Sequence, residues 1–315
     1  MKQWLSTLLA VAFLLMMGLR VLESPHPDWR VPVLSEHMSL RTWLFVISSL
    51  LTFAVCVSNA VHLLGARAAL TFVGIAAGIG WFVEETGVKY GWWFGPYTYS
   101  SMLGWKLGEV PVIVPLMWFA VVYVAYMICN LIMWRAPVQP RVIQHLIQGR
   151  FAPLVDALAL SLAPAAVVLA YDLGVDPYMT HMGAYTASRE VWTITSNGLS
   201  GLGVNLAKAS PQSIYLGVSI QAFRGWFFVA FCMVFAFRMA VRTMPVVPIS
   251  AHRKREALVP VLLYWGWSSF QYNFGHPSQT QMVAAAAMGI PFLFALGGWN
   301  AYRLSTDSNN EGATA

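Results

Sequence analysis

Residues 110–134 read VPVIVPLMWFAVVYVAYMICNLIMW, with no charged side chain in the stretch. A helix of this length covers a bilayer core, which needs roughly 20 mostly apolar residues. Seven further apolar runs surround it, at 4–22, 42–64, 67–83, 154–173, 214–241, 258–272 and 281–303. The seventh in chain order, 258–272, is short and interrupted by Gly266. The first reads as a retained helix, because no small-residue cleavage site stands out around Leu19–Ser24. Only helices and closed β-barrels span membranes, and barrel strands alternate apolar with polar residues. These continuous runs do not alternate. The expected fold is an all-α, multi-pass transmembrane bundle of about eight spans, one integral-membrane domain over 1–315. A polar loop is expected at 174–213 and a disordered tail at 304–315.

Composition agrees. The chain is 58% hydrophobic and 10% charged, with a mean hydropathy of +0.60, whereas soluble domains carry about 25% charged residues. The net charge of +6 sits in short loops between apolar runs, a pattern of topology and anionic lipid and not of nucleic-acid binding. With the N-terminus inside, the basic loops 135–150 and 242–255 both face the cytoplasm, as the positive-inside rule expects. Both termini of this cell-membrane protein are then cytoplasmic. Nine of the 13 acids fall on the outer side, several at span ends, where an ionisable group points to function. Cys56, Cys129 and Cys232 lie inside apolar runs and read as small packing residues.

Two segments carry candidate chemistry. In Trp81-Phe82-Val83-Glu84-Glu85-Thr86-Gly87-Val88-Lys89-Tyr90-Gly91-Trp92-Trp93-Phe94-Gly95-Pro96-Tyr97-Thr98-Tyr99, two carboxylates at a span end precede a glycine-punctuated aromatic stretch. Irregular backbone at membrane depth is tolerated where protein buries it or it lines a cavity. Consecutive helical residues point about 100° apart, so one of Glu84 and Glu85 is expected to face a pocket. In Tyr171-Asp172-Leu173-Gly174-Val175-Asp176-Pro177, Asp172 and Asp176 share a helix face by their i,i+4 spacing. Pro177 disfavours helical geometry at Asp176, so the span is expected to end there. Two nearby carboxyls in poor solvation cannot both ionise cheaply, and one that keeps its proton can serve as a general acid.

Other chemistries lack their motifs. The histidines, His26, His37, His62, His145, His181, His252 and His276, include no pair at the three- or four-residue spacing of helical metal ligands. Gly74, Gly78 and Gly80 lie in an apolar span and read as helix-packing residues, not a dinucleotide loop. No metal site and no cofactor is expected.

At these residues the chain resembles the membrane carotenoid hydratases that act on acyclic (ψ) carotenoid ends, the γ-carotene and bacterioruberin-pathway enzymes. The resemblance rests on an acid three residues before Gly87, then Gly91, Phe94-Gly95 and Tyr97-x-Tyr99, and continues through Leu103-Gly104, Val110-Pro111, Pro115 and Trp118. A second block is Asp172-x-x-x-Asp176-Pro177 with Met179 and Gly183. A weaker third is Tyr215-Leu216-Gly217-Val218 with Phe223-x-Gly225-Trp226. Together they cover about 80–226. The chain departs where the family has a Trp-x-Trp after the Asp-Pro block, carrying Ala184-Tyr185-Thr186 instead. It departs again in the third block, at Ser219 and Ala222.

The resemblance implies a lyase of the hydratase type, adding water across the terminal double bond of an acyclic carotenoid to give a tertiary alcohol. Glu84, Asp172 and Asp176 are the candidate proton donor and water-activating base. Trp92, Trp93, Tyr97, Tyr99, Trp118, Tyr215 and Trp226 are candidate substrate-binding aromatics. The expected partners are a lipophilic carotenoid, water and membrane lipid. Asp172-x-x-x-Asp176 also resembles half of a magnesium–diphosphate site of an intramembrane prenyltransferase, but the second Asp-rich motif is missing. A transporter or a non-catalytic carotenoid-binding protein is the other alternative. Transport would spread acids through the bilayer depth.

Overall fold

The computed structural model describes residues 5–23, 40–138, 146, 148–181, 185–186, 214–244, 253–275 and 277–312. Eight helices run through the described residues: α1 (Leu5–Glu23), α2 (Leu40–Leu64), α3 (Ala66–Tyr90), α4 (Ile113–Trp134), α5 (Ala152–His181), α6 (Ile220–Val241), α7 (Arg253–Phe274) and α8 (Gln279–Gly312). The all-α membrane bundle expected from the sequence is therefore the observed fold. Six helices, α2–α6 and α8, are long and apolar enough to cross a bilayer. The apolar stretch of α1, Ala10–Leu19, is shorter. α7 begins Arg253-Lys254-Arg255-Glu256 and carries Ser268, Ser269, Gln271 and Asn273 near its end, so polar residues dilute its apolar part.

Several boundaries differ from the sequence reading. α3 does not stop at residue 83 but continues to Tyr90, where Gly91 caps it in the left-handed conformation (φ 68°) and donates to the Gly87 carbonyl at 2.8 Å. Glu84 and Glu85 thus lie within a helix, not beyond one. α5 runs through Pro177 to His181. A proline inside a transmembrane helix is tolerated when its surroundings support the disturbed turn, and here α7 packs on α5 just before it, with Gln271 Nε2 donating to the Tyr171 carbonyl at 3.1 Å. α7 passes through Gly266 unbroken. Residues 214–219 form a hairpin of β5 (Ile214–Tyr215) and β6 (Val218–Ser219), and only then does α6 begin, capped by the Ser219 hydroxyl accepting from Gln221 N at 3.1 Å. α8 extends past Leu304 to Gly312, into the stretch expected to be a disordered tail, since adding a residue to a formed helix costs far less than nucleating one.

Neighbouring helices in the chain pack as antiparallel pairs: α1 on α2, α3 on α4, α5 on α6 and α7 on α8. α4 runs through the middle. Its residues from Trp118 to Leu131 are buried, and it touches α2, α3, α5, α6, α7 and α8. Without water between helices, their association rests on van der Waals fit. Phe72 of α3 stacks on Phe237 of α6 at 3.9 Å, with Phe119, Tyr123 and Tyr126 of α4 edge-on around it. Gly80 lets Trp118 press against α3, for a Cβ there would stand 2.9 Å from its Cδ1. Gly74 and Gly78 meet nothing within 4 Å, so of the three glycines assigned to packing only Gly80 serves it.

The ends of α1, α3, α5 and α7 and the starts of α2, α4 and α6 meet at one end of the bundle. The 91–112 segment covers it with β1 (Thr98–Tyr99), a short 3₁₀ turn, and a hairpin of β2 (Lys106–Leu107) and β3 (Val110–Pro111). β1 pairs antiparallel with β4 (Tyr185–Thr186), so of the three residues that replace the Trp-x-Trp, Tyr185 is opposite Tyr99 and Thr186 opposite Thr98. Gly183, Ala184, most of 174–213 beyond His181, and His26, His37, His145, His252 and His276 lie outside the described residues. Reporter fusions after Arg150 and after Arg255 should report cytoplasm and a fusion after Ser210 the opposite side. The same side for 150 and 210 would break this orientation.

Candidate active site

A partly open cavity of about 200 Å³ lies at the covered end of the bundle, lined by all helices from α1 to α7 together with the 94–103 segment. Most of its wall is apolar. Glu84 and Asp176 are its two carboxyl groups.

Glu84 is 3% exposed and accepts three hydrogen bonds. Trp118 Nε1 donates to Oε1 at 2.7 Å, Tyr99 donates to Oε2 at 2.7 Å, and the Tyr97 hydroxyl donates to the same Oε2. The backbone explains how the two tyrosines reach it. Gly91, Trp93 and Gly95 all take positive φ, which folds the chain back along α3 and returns Tyr97 and Tyr99 to the level of Glu84. Burial first, and then the adjacent Glu84, holds both phenols well above the usual tyrosine range. They stay protonated donors at any physiological pH.

Glu85 faces away, as the 100° step requires. It pairs with Lys89 at 2.6 Å and accepts from Glu109 N at 2.8 Å. Gly108, at φ 68°, is the turn that brings the backbone over it, where a Cβ would sit 2.6 Å from either Glu85 oxygen. Glu85 anchors the covering hairpin.

Asp172 and Asp176 lie on one face of α5. Asp176 lines the cavity, while Asp172, 0% exposed, sits one turn deeper and is not part of the wall. Asp176 is within hydrogen-bonding reach of Asp172, and Glu84 is within electrostatic range of both. Two carboxyls offer no donor unless one carries a proton, so neither Asp172 oxygen receives a hydrogen bond from a donor in the structure. The fold thus gathers three carboxyls from α3 and α5, about ninety positions apart in the chain.

The aromatic candidates separate into two groups. Tyr97, Tyr99, Trp118 and Trp226 line the cavity. Trp118 and Trp226 stack at 4.0 Å, with Phe94 6.1 Å from Trp118. The polar edges of Tyr97, Tyr99 and Trp118 are used on Glu84, so these residues hold the acid as well as walling the cavity. Trp92, Trp93 and Tyr215 are not part of the wall. Trp92 is 40% exposed against Tyr90, Trp93 donates to the Thr86 hydroxyl at 2.9 Å, and Tyr215 packs edge-on against Phe223. Residues that the sequence did not single out complete the cavity, among them Ser48, Ser49 and Thr52 of α2, Thr180 of α5 and Gln271 of α7. Gln271 was the most visible of these, a polar residue among Phe270, Tyr272 and Phe274.

Buried acids also occur at the opposite end of the bundle, Asp156 and Glu256. There they are engaged by protein donors: Glu256 accepts from Asn59 Nδ2 at 2.8 Å, and Asp156 accepts from Leu146 N at 3.0 Å. Among the described residues no three His, Cys, Asp or Glu side chains are placed to hold a metal ion.

No curated protein and no solved structure matches this chain. Residues 44–296, which hold every cavity-lining residue except Phe13 and Met17, match the family described as carotenoid biosynthesis protein. The chain belongs to the carotenoid biosynthesis protein family.

Proposed function

We propose that the protein hydrates the terminal trisubstituted double bond of an acyclic carotenoid end, giving a tertiary alcohol. The observation that supports this most is the meeting of Glu84 and Asp176 in one largely apolar cavity beside the Trp118–Trp226 stack. A trisubstituted alkene accepts a proton at its less substituted carbon, and the tertiary cation that results must survive until water adds. Asp176, with Asp172 behind it, is suited to supply the proton. Glu84, already the acceptor of three hydrogen bonds, is suited to face the cation and take the proton that water releases. Indole faces stabilise a desolvated cation by about 2 kcal/mol. The sum is one water added and no proton gained or lost, so the reaction needs no redox partner.

The direct test is the pigment profile of a host that makes an acyclic carotenoid, with and without this gene. A new, more polar tertiary alcohol supports the reading. An unchanged profile with the protein present in the membrane points to a carotenoid-binding role. Washed membranes should also convert substrate in the presence of a chelator and without added nucleotide. Loss of activity that magnesium restores would favour the prenyltransferase alternative, since diphosphate is held through that ion.

A further inference from the structure

Pro177 interrupts the hydrogen-bond ladder of α5 in the middle of a polar row. Asp172, Asp176 and Thr180 follow one another at i, i+4 and i+8, one above the next on the helix face that borders the cavity. Proline has no N–H, so the Leu173 carbonyl one turn below loses its helical partner, and residue 173 projects beside the same row. Two of the three side chains hold unmet polar atoms. Asp172 is 0% exposed with no donor to either oxygen, and the buried Thr180 hydroxyl has no hydrogen-bond partner. Asp176 and Thr180 line the cavity. Buried polar groups are nearly always satisfied, by protein or by ordered water, and freed carbonyls at proline kinks in membrane helices are met by water or hydroxyls.

We infer that the Pro177 turn of α5 is a water-binding seam, formed by Asp172, Asp176, Thr180 and the Leu173 carbonyl, that delivers the reacting water to the cavity. Its purpose rests on the hydratase reading. The seam lies in the last turns of α5, which ends at His181, so water reaches it from the helix end while the polyene remains in lipid. Thr180 is a positioning residue here, acting through the water it holds.

The experiment separates water capture from proton delivery. In D₂O, a cation that is formed but not captured loses a proton from a neighbouring carbon and returns as alkene carrying deuterium. Thr180→Val should cut hydration roughly tenfold or more, as misplacement of a reactant does, while deuterium still enters the recovered carotenoid. Thr180→Ser should restore most of the hydration. Pro177→Ala, which returns an N–H to the Leu173 carbonyl, should act in the same direction as Thr180→Val. X-ray hydroxyl-radical labelling, in which ordered internal water is the radical source, gives a second readout without substrate. Met179 should be marked in the wild-type protein and much less in Thr180→Val and Pro177→Ala. Unchanged labelling in both variants overturns the seam, and so does unchanged hydration. A wild-type protein that hydrates no acyclic carotenoid, but shows the expected labelling losses, overturns the hydratase reading and leaves the water site standing.

Discussion

Glu84→Gln and Asp176→Asn should each accumulate unhydrated carotenoid while the protein remains in the membrane. Removing a general acid or base costs roughly 10²–10⁴-fold, enough to erase product in a pigment assay. For Glu84 the loss has two sources. Glutamine cannot take a proton, and its amide N–H₂ replaces one of the acceptor oxygens to which Trp118, Tyr99 and Tyr97 now donate. A donor then faces a donor in a buried site, at a cost of about 1–3 kcal/mol. Asp176→Asn removes the carboxyl that meets the cavity. Asp172→Asn should also lower turnover, through Asp176, since a permanent N–H donor would replace an exchangeable proton. Glu85→Gln should be the mildest of the four, because Glu85 holds Lys89 and the Glu109 backbone outside the cavity. Near-wild-type product from Glu84→Gln, Asp172→Asn and Asp176→Asn together would leave these carboxyls as structure.

Trp118 is the second place where a large effect is expected. Its indole is 1% exposed, stacks on Trp226 at 4.0 Å, stands 6.1 Å from Phe94 and donates to Glu84 at 2.7 Å. Truncation of a buried Trp to Ala costs about 3–5 kcal/mol, so Trp118→Ala should lower the thermal midpoint in detergent markedly and abolish turnover. Trp118→Phe keeps a six-membered ring in the stack, leaves a smaller void than alanine does and removes the donor. It should hold most of the stability while turnover falls, because Glu84 loses one of its three anchors. Equal loss of stability in both variants would mean that the indole N–H, and not the ring, carries the fold there. Full turnover by Trp118→Phe would remove Trp118 from the positioning of Glu84.

The Glu84–Glu85 pair shows how far local sequence reaches. Their 100° separation requires opposite environments, and the structure gives one a cavity and the other an ion pair. The identity of the partners was not legible, since nothing local says that Tyr97 and Tyr99 return to the level of Glu84. Their use as donors depends on positive φ at Gly91, Trp93 and Gly95, which reverses the chain along α3. Pro177 shows the opposite. A local rule ends a helix before proline, yet α5 continues to His181, because the turns on either side keep their backbone bonds and α7 packs on α5 just before the proline.

Apolar run length and loop charge made an α-helical membrane bundle the expected fold from the sequence alone, because a buried backbone has so few ways to satisfy itself in lipid. The residue types able to move a proton were also visible, being rare in apolar surroundings and therefore conspicuous. Which acids meet was a matter of tertiary packing. Asp176 enters the cavity and Asp172 stays behind it, Trp118 and Trp226 stack across α4 and α6 while Trp92 and Trp93 face elsewhere, and Gln271 arrives from a helix a hundred residues away from Tyr171. These contacts depend on how helices are rotated against one another, and that rotation is set by side-chain fit at interfaces such as Gly80 against Trp118, which no local pattern encodes.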